Sequence, residues 1–216
     1  CSAYTYDSSL APNANKIGFE NAYPITVKIT AVTQIKAKEF LGNSSLKRVV
    51  IPNSVTRIGE GAFYGCTSLE SIEIPDSVIE IERCAFAKCS KLRHVTLPKH
   101  LSKIATGLFW QCSSLEGVVI PNSVKDIAGN AFGGCVSLDI DLSQNLHFIV
   151  NEGVLLNKEA NKIVSFLSSN KIKEYSIPNS IVEIGSGAFS LNPLLEYVKI
   201  PEKVKEINST AFCNVQ

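Results

Sequence analysis

The amino-acid sequence predicts a repeat solenoid, a chain wound into short parallel strands and tight turns whose coils stack along one axis. Two observations carry this prediction. On either side of one gap of 57, Pro recurs in steps of 23 at 52, 75, 98, 121, 178 and 201, and Phe does so at 40, 63, 86, 109, 132, 189 and 212. Cys at 66, 89, 112 and 135 and Leu at 46, 69, 92, 115, 138 and 195 share the register. The second observation is physical: a unit of this length cannot bury its own Leu, Ile, Val and Phe, whereas like units stacked on one another can. Composition permits such a core, because 45% of the 216 residues are hydrophobic and the mean hydropathy is +0.13. Wholesale disorder is thereby excluded.

Residues 1–24 lack the repeat and are polar, with Ser8, Ser9, Pro12 and Asn13 among them, so they read as a linker or a loose cap. Residues 25–216 form the repeat domain. Within one unit, Leu69-x-x-Ile72-x-Ile74 alternates apolar and polar residues as a half-buried strand does, and Pro75 ends it by removing a ladder donor. Val78-x-x-Ile81 is too short for a helix and reads as a second short strand on the next side of the coil. Glycines before Phe, as at Gly59 and Gly61 or Gly185 and Gly187, predict a tight turn or one turn of 3₁₀ helix. Parallel strands of successive coils then lie about 4.8 Å apart, and the seven Phe form an internal spine.

After Leu138 the pattern slips: Ile140 and Leu142 come one residue early, and Gln144 stands where Pro is expected. One unit, about 139–176, is enlarged by 11 residues, the excess of the 57-residue gap over two periods. Inside it, Val154-Leu-Leu-Asn157 and Lys162-Ile-Val-Ser-Phe-Leu167 flank Lys158–Asn161 and predict a β-hairpin protruding from the coil. The last unit stops at Gln216, just after Ala211 and Phe212, where another strand is due; an open coil end would expose strand edges, so the expectation is that either the native protein continues or something covers that edge.

The run IPNSVTRIGEGAFYGCTSLESIEIP, which starts at Ile51, resembles the BspA-like, treponemal-type leucine-rich repeat, with its pattern I-P-x-S-V-x-x-I-G-x-x-A-F-x-x-C-x-x-L. The likeness extends over roughly residues 26–216, and Asn151-Glu-Gly-Val-Leu-Leu-Asn-Lys158 is similar to inserts in that family. It implies a right-handed leucine-rich repeat coil and a role in attachment to host proteins or to other cells.

The residues offer little chemistry. Four of the seven Cys occupy one repeat position, and a row of thiols does not make the tetrahedron that zinc requires. They read as buried structural thiols; Cys84 and Cys213 stand outside the row. His94, His100 and His147 show no metal-ligand spacing, and no nucleophile elbow, phosphate loop or HExxH motif occurs. No catalysis, cofactor or metal is therefore expected. The formal net charge of +1 supplies no field for nucleic acid. No run of about 18 apolar residues is present to span a bilayer.

The chain has no Met and begins Cys1-Ser-Ala, which resembles a processed bacterial lipoprotein with the lipid on Cys1; an arbitrary boundary is the other reading. Membrane attachment is expected only through that lipid.

What the repeat does localise is a surface. The outward positions of Leu-x-x-Ile-x-Ile line up as Arg48 and Val50, Ser71 and Glu73, His94 and Thr96, Gly117 and Val119, then Tyr197 and Lys199. Such a strip suits a protein or glycan ligand, including a host extracellular protein, better than a small molecule, although an ordinary solvated face reads the same way. Trp110, at the variable position after Phe, is either a binding anchor or a plug over a small neighbour. The expectation is a non-catalytic, cell-surface or secreted binding module with adhesin-like protein recognition through the strand face. The alternative is a structural scaffold that self-associates through its open C-terminal coil.

Overall fold

The computed structural model describes residues 25–30 and 32–213. The expected linker, the lipid reading of Cys1 and the terminal residue Gln216 lie outside the described residues. The chain is a parallel-strand β-solenoid, and among the described residues no helix occurs.

Each regular coil supplies two short strands. On the first face, Ile25–Lys28, Leu46–Val50, Ser71–Glu73, His94–Thr96, Gly117–Val119 and Asp139–Asp141 form a six-stranded parallel sheet in chain order. On the second, Gln34–Ile35, Arg57–Ile58 and Glu80–Ile81 pair in parallel, as do Lys103–Ile104 and Asp126–Ile127. Between the faces the repeated Pro starts a turn. Val55 N donates to Pro52 O at 3.0 Å, and Val78 repeats this bond to Pro75 and Val124 to Pro121 at 3.0 Å. Proline thus ends the strand by lacking a donor while its carbonyl closes the bend.

The corner that carries Phe is built from three-residue turns stitched to the next coil. Ala62 N donates back to Gly59 O at 3.2 Å, then Phe63 N donates forward to Ala85 O at 2.8 Å. Each corner needs two left-handed residues: Gly61 (φ +58°) and Gly65 (φ +71°) in one coil, Cys84 (φ +55°) and Lys88 (φ +58°) in the next. Glycine suits these sites at no steric cost, and the coils without it spend stability there.

The Phe spine runs through Phe40, Phe63, Phe86, Phe109 and Phe132, with ring centroids 5.1, 5.3, 5.9 and 6.0 Å apart. A second stack joins Phe166, Phe189 and Phe212 at 5.3 and 5.0 Å. Phe166 is therefore a spine member, which corrects the expectation that the spine resumes only at Phe189. Its N–H donates to Ala188 O at 2.6 Å, in the same way that Phe63 uses Ala85.

The enlarged unit also departs from expectation. The hairpin of Val154–Asn157 and Lys162–Phe166 is present and antiparallel, but Phe148–Asn151 adds a third antiparallel strand. It does not protrude: Val154, Leu155, Leu156 and Ile163 are buried, and Lys162–Phe166 pairs in parallel with Glu183–Ile184 on the second face. Alternate side chains explain this. Leu155, Val164 and Leu167 pack into the core of the preceding coils, whereas Val154, Leu156, Ile163 and Phe166 pack into that of the following ones. Strands that are apolar on both faces must be covered on both, so the insertion becomes a septum between two cores. Beside it, the corners of the flanking coils meet closely: a Cβ on Gly129 would lie 2.5 Å from Ser186 O.

Candidate binding face

The outward residues of the six-stranded sheet are set by the two-residue period. Val49, Ile72, Val95 and Val118 point inward with 2–7% exposure, so their neighbours on each strand point to solvent. Parallel register then stacks those neighbours in two rows. Thr26, Arg48, Ser71, His94, Gly117 and Asp139 are paired strand to strand. In the second row Lys28 pairs with Val50, Val50 with Glu73, Glu73 with Thr96, and Val119 with Asp141. Val50 is 41% and Val119 45% exposed.

Tyr197 and Lys199 are also exposed, but on the separate two-stranded sheet of Glu174–Ser176 and Tyr197–Lys199. The enlarged coil interrupts the strip, so these two residues do not join the others. Thr26, Lys28, Asp139 and Asp141 complete the rows and are missed by sequence reasoning. Asp139 and Asp141 were detectable from Asp139-Ile140-Asp141, whose alternation survives the one-residue slip.

The rim of the face carries alternating charges at one repeat position, Lys47, Glu70, Arg93 and Glu116. Lys47 lies 3.3 Å from Glu70 and Arg93 3.5 Å from Glu116, with Lys173 and Glu196 continuing at 2.7 Å beyond the septum. His94 Nε2 stands 3.9 Å from a Glu116 carboxylate oxygen. Exposed pairs of this kind contribute about 0–1 kcal/mol each, so their effect is on which coils sit together more than on stability. On the second face, an open groove lined by Glu60, Glu80, Glu82, Arg83, Lys103 and Asp126 is charged and partly paired: Glu60 bonds Arg83 at 3.0 Å, and Glu82 bonds Arg57 outside the lining.

Trp110 is half-buried. A Cβ on Gly133 would lie 3.3 Å from its ring, and Lys88 Nζ sits 5.2 Å from the Trp110 ring and 5.6 Å from that of Tyr64.

The four thiols of the row are buried and free. Each donates to the carbonyl of the Phe one coil back: Cys66 to Phe40 at 3.1 Å, Cys89 to Phe63 at 3.1 Å, Cys112 to Phe86 at 3.0 Å and Cys135 to Phe109 at 3.1 Å. Asn192 takes over this position and donates to Phe166 O at 3.2 Å. Satisfying that carbonyl is a role beyond hydrophobic filling. Burial pushes the Cys66 thiol from an ordinary 9.0 to about 12, and it raises Cys89 and Cys112 well above the ordinary value. Such thiols carry almost no thiolate at neutral pH, which leaves them poor nucleophiles. Among the described residues, no group of three or more His, Cys, Asp or Glu is placed to hold a metal ion.

A test follows from the row. Native protein should label slowly with a thiol reagent at Cys66, Cys89, Cys112 and Cys135, and quickly once denatured. Cys89→Ala should cost about 1 kcal/mol through lost packing and a lost bond. Because the thiols bind their protons more tightly when folded, their contribution is complete below the unfolded value of about 9 and declines as pH rises toward about 12. Unfolding midpoints measured across that range should fall with pH. Rapid native labelling, or stability that rises over this window, would contradict the assignment.

The chain matches the model of the BspA type leucine-rich repeat region over residues 33–159 and 152–216, in six copies. Among solved structures it is similar to a leucine-rich repeat protein from Eubacterium ventriosum, with 22% identity, a TM-score of 0.71, and 87% of this chain and 50% of that one covered. It is similar to the pneumococcal vaccine antigen PcpA at 27% identity and TM-score 0.71, covering 88% of this chain and 48% of that one. The leucine-rich repeat protein of T. pallidum shares 31% identity at TM-score 0.55, with 85% of this chain and 73% of that one covered. The chain thus spans about half the length of the first two. No curated protein matches it.

Proposed function

We infer, from the premise that the chain belongs to the BspA type leucine-rich repeat family, that it is a non-catalytic binding module presented at a cell surface or secreted, and that its strand face takes a protein or glycan ligand in an adhesin-like role. One observation carries the reading. The sheet keeps a β-branched apolar residue toward the core in every coil, while its outer side varies in charge and size through Arg48, Val50, Ser71, Glu73, His94, Thr96 and Val119. Repeat solenoids present extended surfaces of this kind for binding, and on a shared scaffold specificity lies in the outer side chains that differ from coil to coil. PcpA, described as a vaccine antigen, and a leucine-rich cell surface protein of Faecalibacterium prausnitzii, 30% identical, support the surface location. Among the described residues, no helix is long and apolar enough to cross a membrane.

The reading is tested with immobilised extracellular-matrix proteins and a glycan array as probes. Changing Arg48, Glu73, His94, Tyr197 and Lys199 together to Ser should leave the unfolding midpoint within about 1 kcal/mol of the parent, because all five are exposed. Binding to whichever probe the parent retains should fall at least about tenfold, and changing Arg48, Glu73 and His94 alone should reproduce that loss, because Tyr197 and Lys199 stand on the separate sheet. Unchanged affinity in a folded five-fold variant would move the site off this face, toward Trp110 or the turn at Lys158.

A further inference from the structure

We propose that the six-stranded face pairs with the same face of a second copy of this chain, so that its recognition includes self-recognition; this rests on the reading of that face as the recognition surface. The argument is one of charge order. Consider a two-fold axis lying in the face, parallel to the strands and midway between Ser71–Glu73 and His94–Thr96. It sets each row opposite itself with the order of coils reversed.

In the second row Lys28 then meets Asp141, Val50 meets Val119, and Glu73 meets Thr96. In the first, Arg48 meets Gly117, Ser71 meets His94, and Thr26 meets Asp139. Along the rim Lys47 meets Glu116 and Glu70 meets Arg93. Three separate rows are thus self-complementary about one axis, with no like charges opposed and the two exposed valines in register. A two-fold axis perpendicular to the strands and midway between the rows instead opposes the two rows of each coil, which sets Asp139 on Asp141 and gives Lys28 no carboxylate, and so costs rather than gains.

Successive Phe ring planes beneath the sheet differ by only 5, 6, 12 and 11° from Phe40 to Phe132, so the packing under the face repeats from coil to coil with little change. The extent of the face bounds the affinity. Five spacings of about 4.8 Å make a strip about 24 Å long, and its two rows lie about 7 Å apart, so with its rim the face covers on the order of a few hundred Å², below the roughly 800 Å² per partner of a standard stable interface. Single copies should pair weakly, and copies held together on a surface should pair through many such contacts.

Sedimentation equilibrium on the chain up to about 1 mM should show a reversible dimer that weakens as salt shortens the reach of its charges. Val50→Glu sets a carboxylate against Val119 twice per dimer and should weaken pairing about tenfold or more, as should Val119→Lys. The double variant places Glu opposite Lys at both contacts and should return pairing to within about threefold of the parent. A dimer unaffected by Val50→Glu, or single variants not restored by the double, would overturn the proposal. A monomer at every concentration would also overturn it. If the five-fold Ser variant still loses its matrix-protein or glycan probe in that case, the broader strand-face reading stands.

Discussion

Phe86→Ala is expected to destabilise the protein by about 3–5 kcal/mol, and Phe166→Ala by a comparable amount. Phe86 is fully buried between Phe63 and Phe109, with ring centroids 5.3 and 5.9 Å away. Removing it deletes two stacked contacts and leaves a cavity walled by coils that backbone bonds hold on both sides, Phe63 N to Ala85 O and Phe86 N to Leu108 O. Those coils cannot collapse into the space without breaking their own ladders, so the cost falls in the upper part of the large-to-small range. Phe166 is 1% exposed and packs against Phe189 with ring centroids 5.3 Å apart and planes tilted by 31°. Denaturant unfolding checks both variants. A loss under about 1 kcal/mol at Phe166 with the full loss at Phe86 would show that Phe166 is not a spine residue.

The second large effect is expected at Leu155, where Ala should cost about 2–5 kcal/mol. Leu155 is fully buried in the core of the preceding coils while its neighbours Val154 and Leu156 serve the following core. Truncation opens a void on one side of the septum, and the strand cannot shift to fill it without withdrawing Val154 and Leu156 from the other. Lys158→Ala, on the exposed turn of the same hairpin, should change stability by less than about 0.5 kcal/mol. Equal small effects at Leu155 and Lys158 would mean that the insertion stands out from the coil.

Much of the fold is legible in the sequence because stacking asks the same residue of every coil at the same place. Phe63, Phe86 and Phe109 occupy one spatial position and one sequence register, so a spacing of 23 reads directly as a stack. Phe166 keeps that spacing to Phe189, but it ends a strand-like run, Lys162–Phe166, and the enlargement separates it from Phe132. The hairpin is readable from its two apolar runs around Lys158–Asn161. Its placement between two cores is not, because alternation shows which residues share a side and not what covers each side. Three consecutive buried residues at Val154, Leu155 and Leu156 are the signal for cover on both.

The thiols divide in the same way. Burial follows from their place in the period, but donation from Cys89 to Phe63 O depends on where the carbonyl of the coil before it points. The candidate face is legible in part: Arg48, Ser71 and His94 follow from the period, whereas the break before Tyr197 depends on how the enlarged coil packs. The alternating charges of Lys47, Glu70, Arg93 and Glu116 share the same period. They acquire meaning only once strand register makes them neighbours.

Hydrogen exchange at the Phe166 amide tests most directly whether one stack of coils runs the length of the chain, with the enlarged unit as a full member. That amide donates to Ala188 O at 2.6 Å, as the Phe63 amide donates to Ala85 O at 2.8 Å. Both should exchange only through large-scale opening, with protection of the same order. Phe166 exchanging at the rate of an exposed loop while Phe63 stays protected would contradict it, because the enlarged unit would then lie outside the stack.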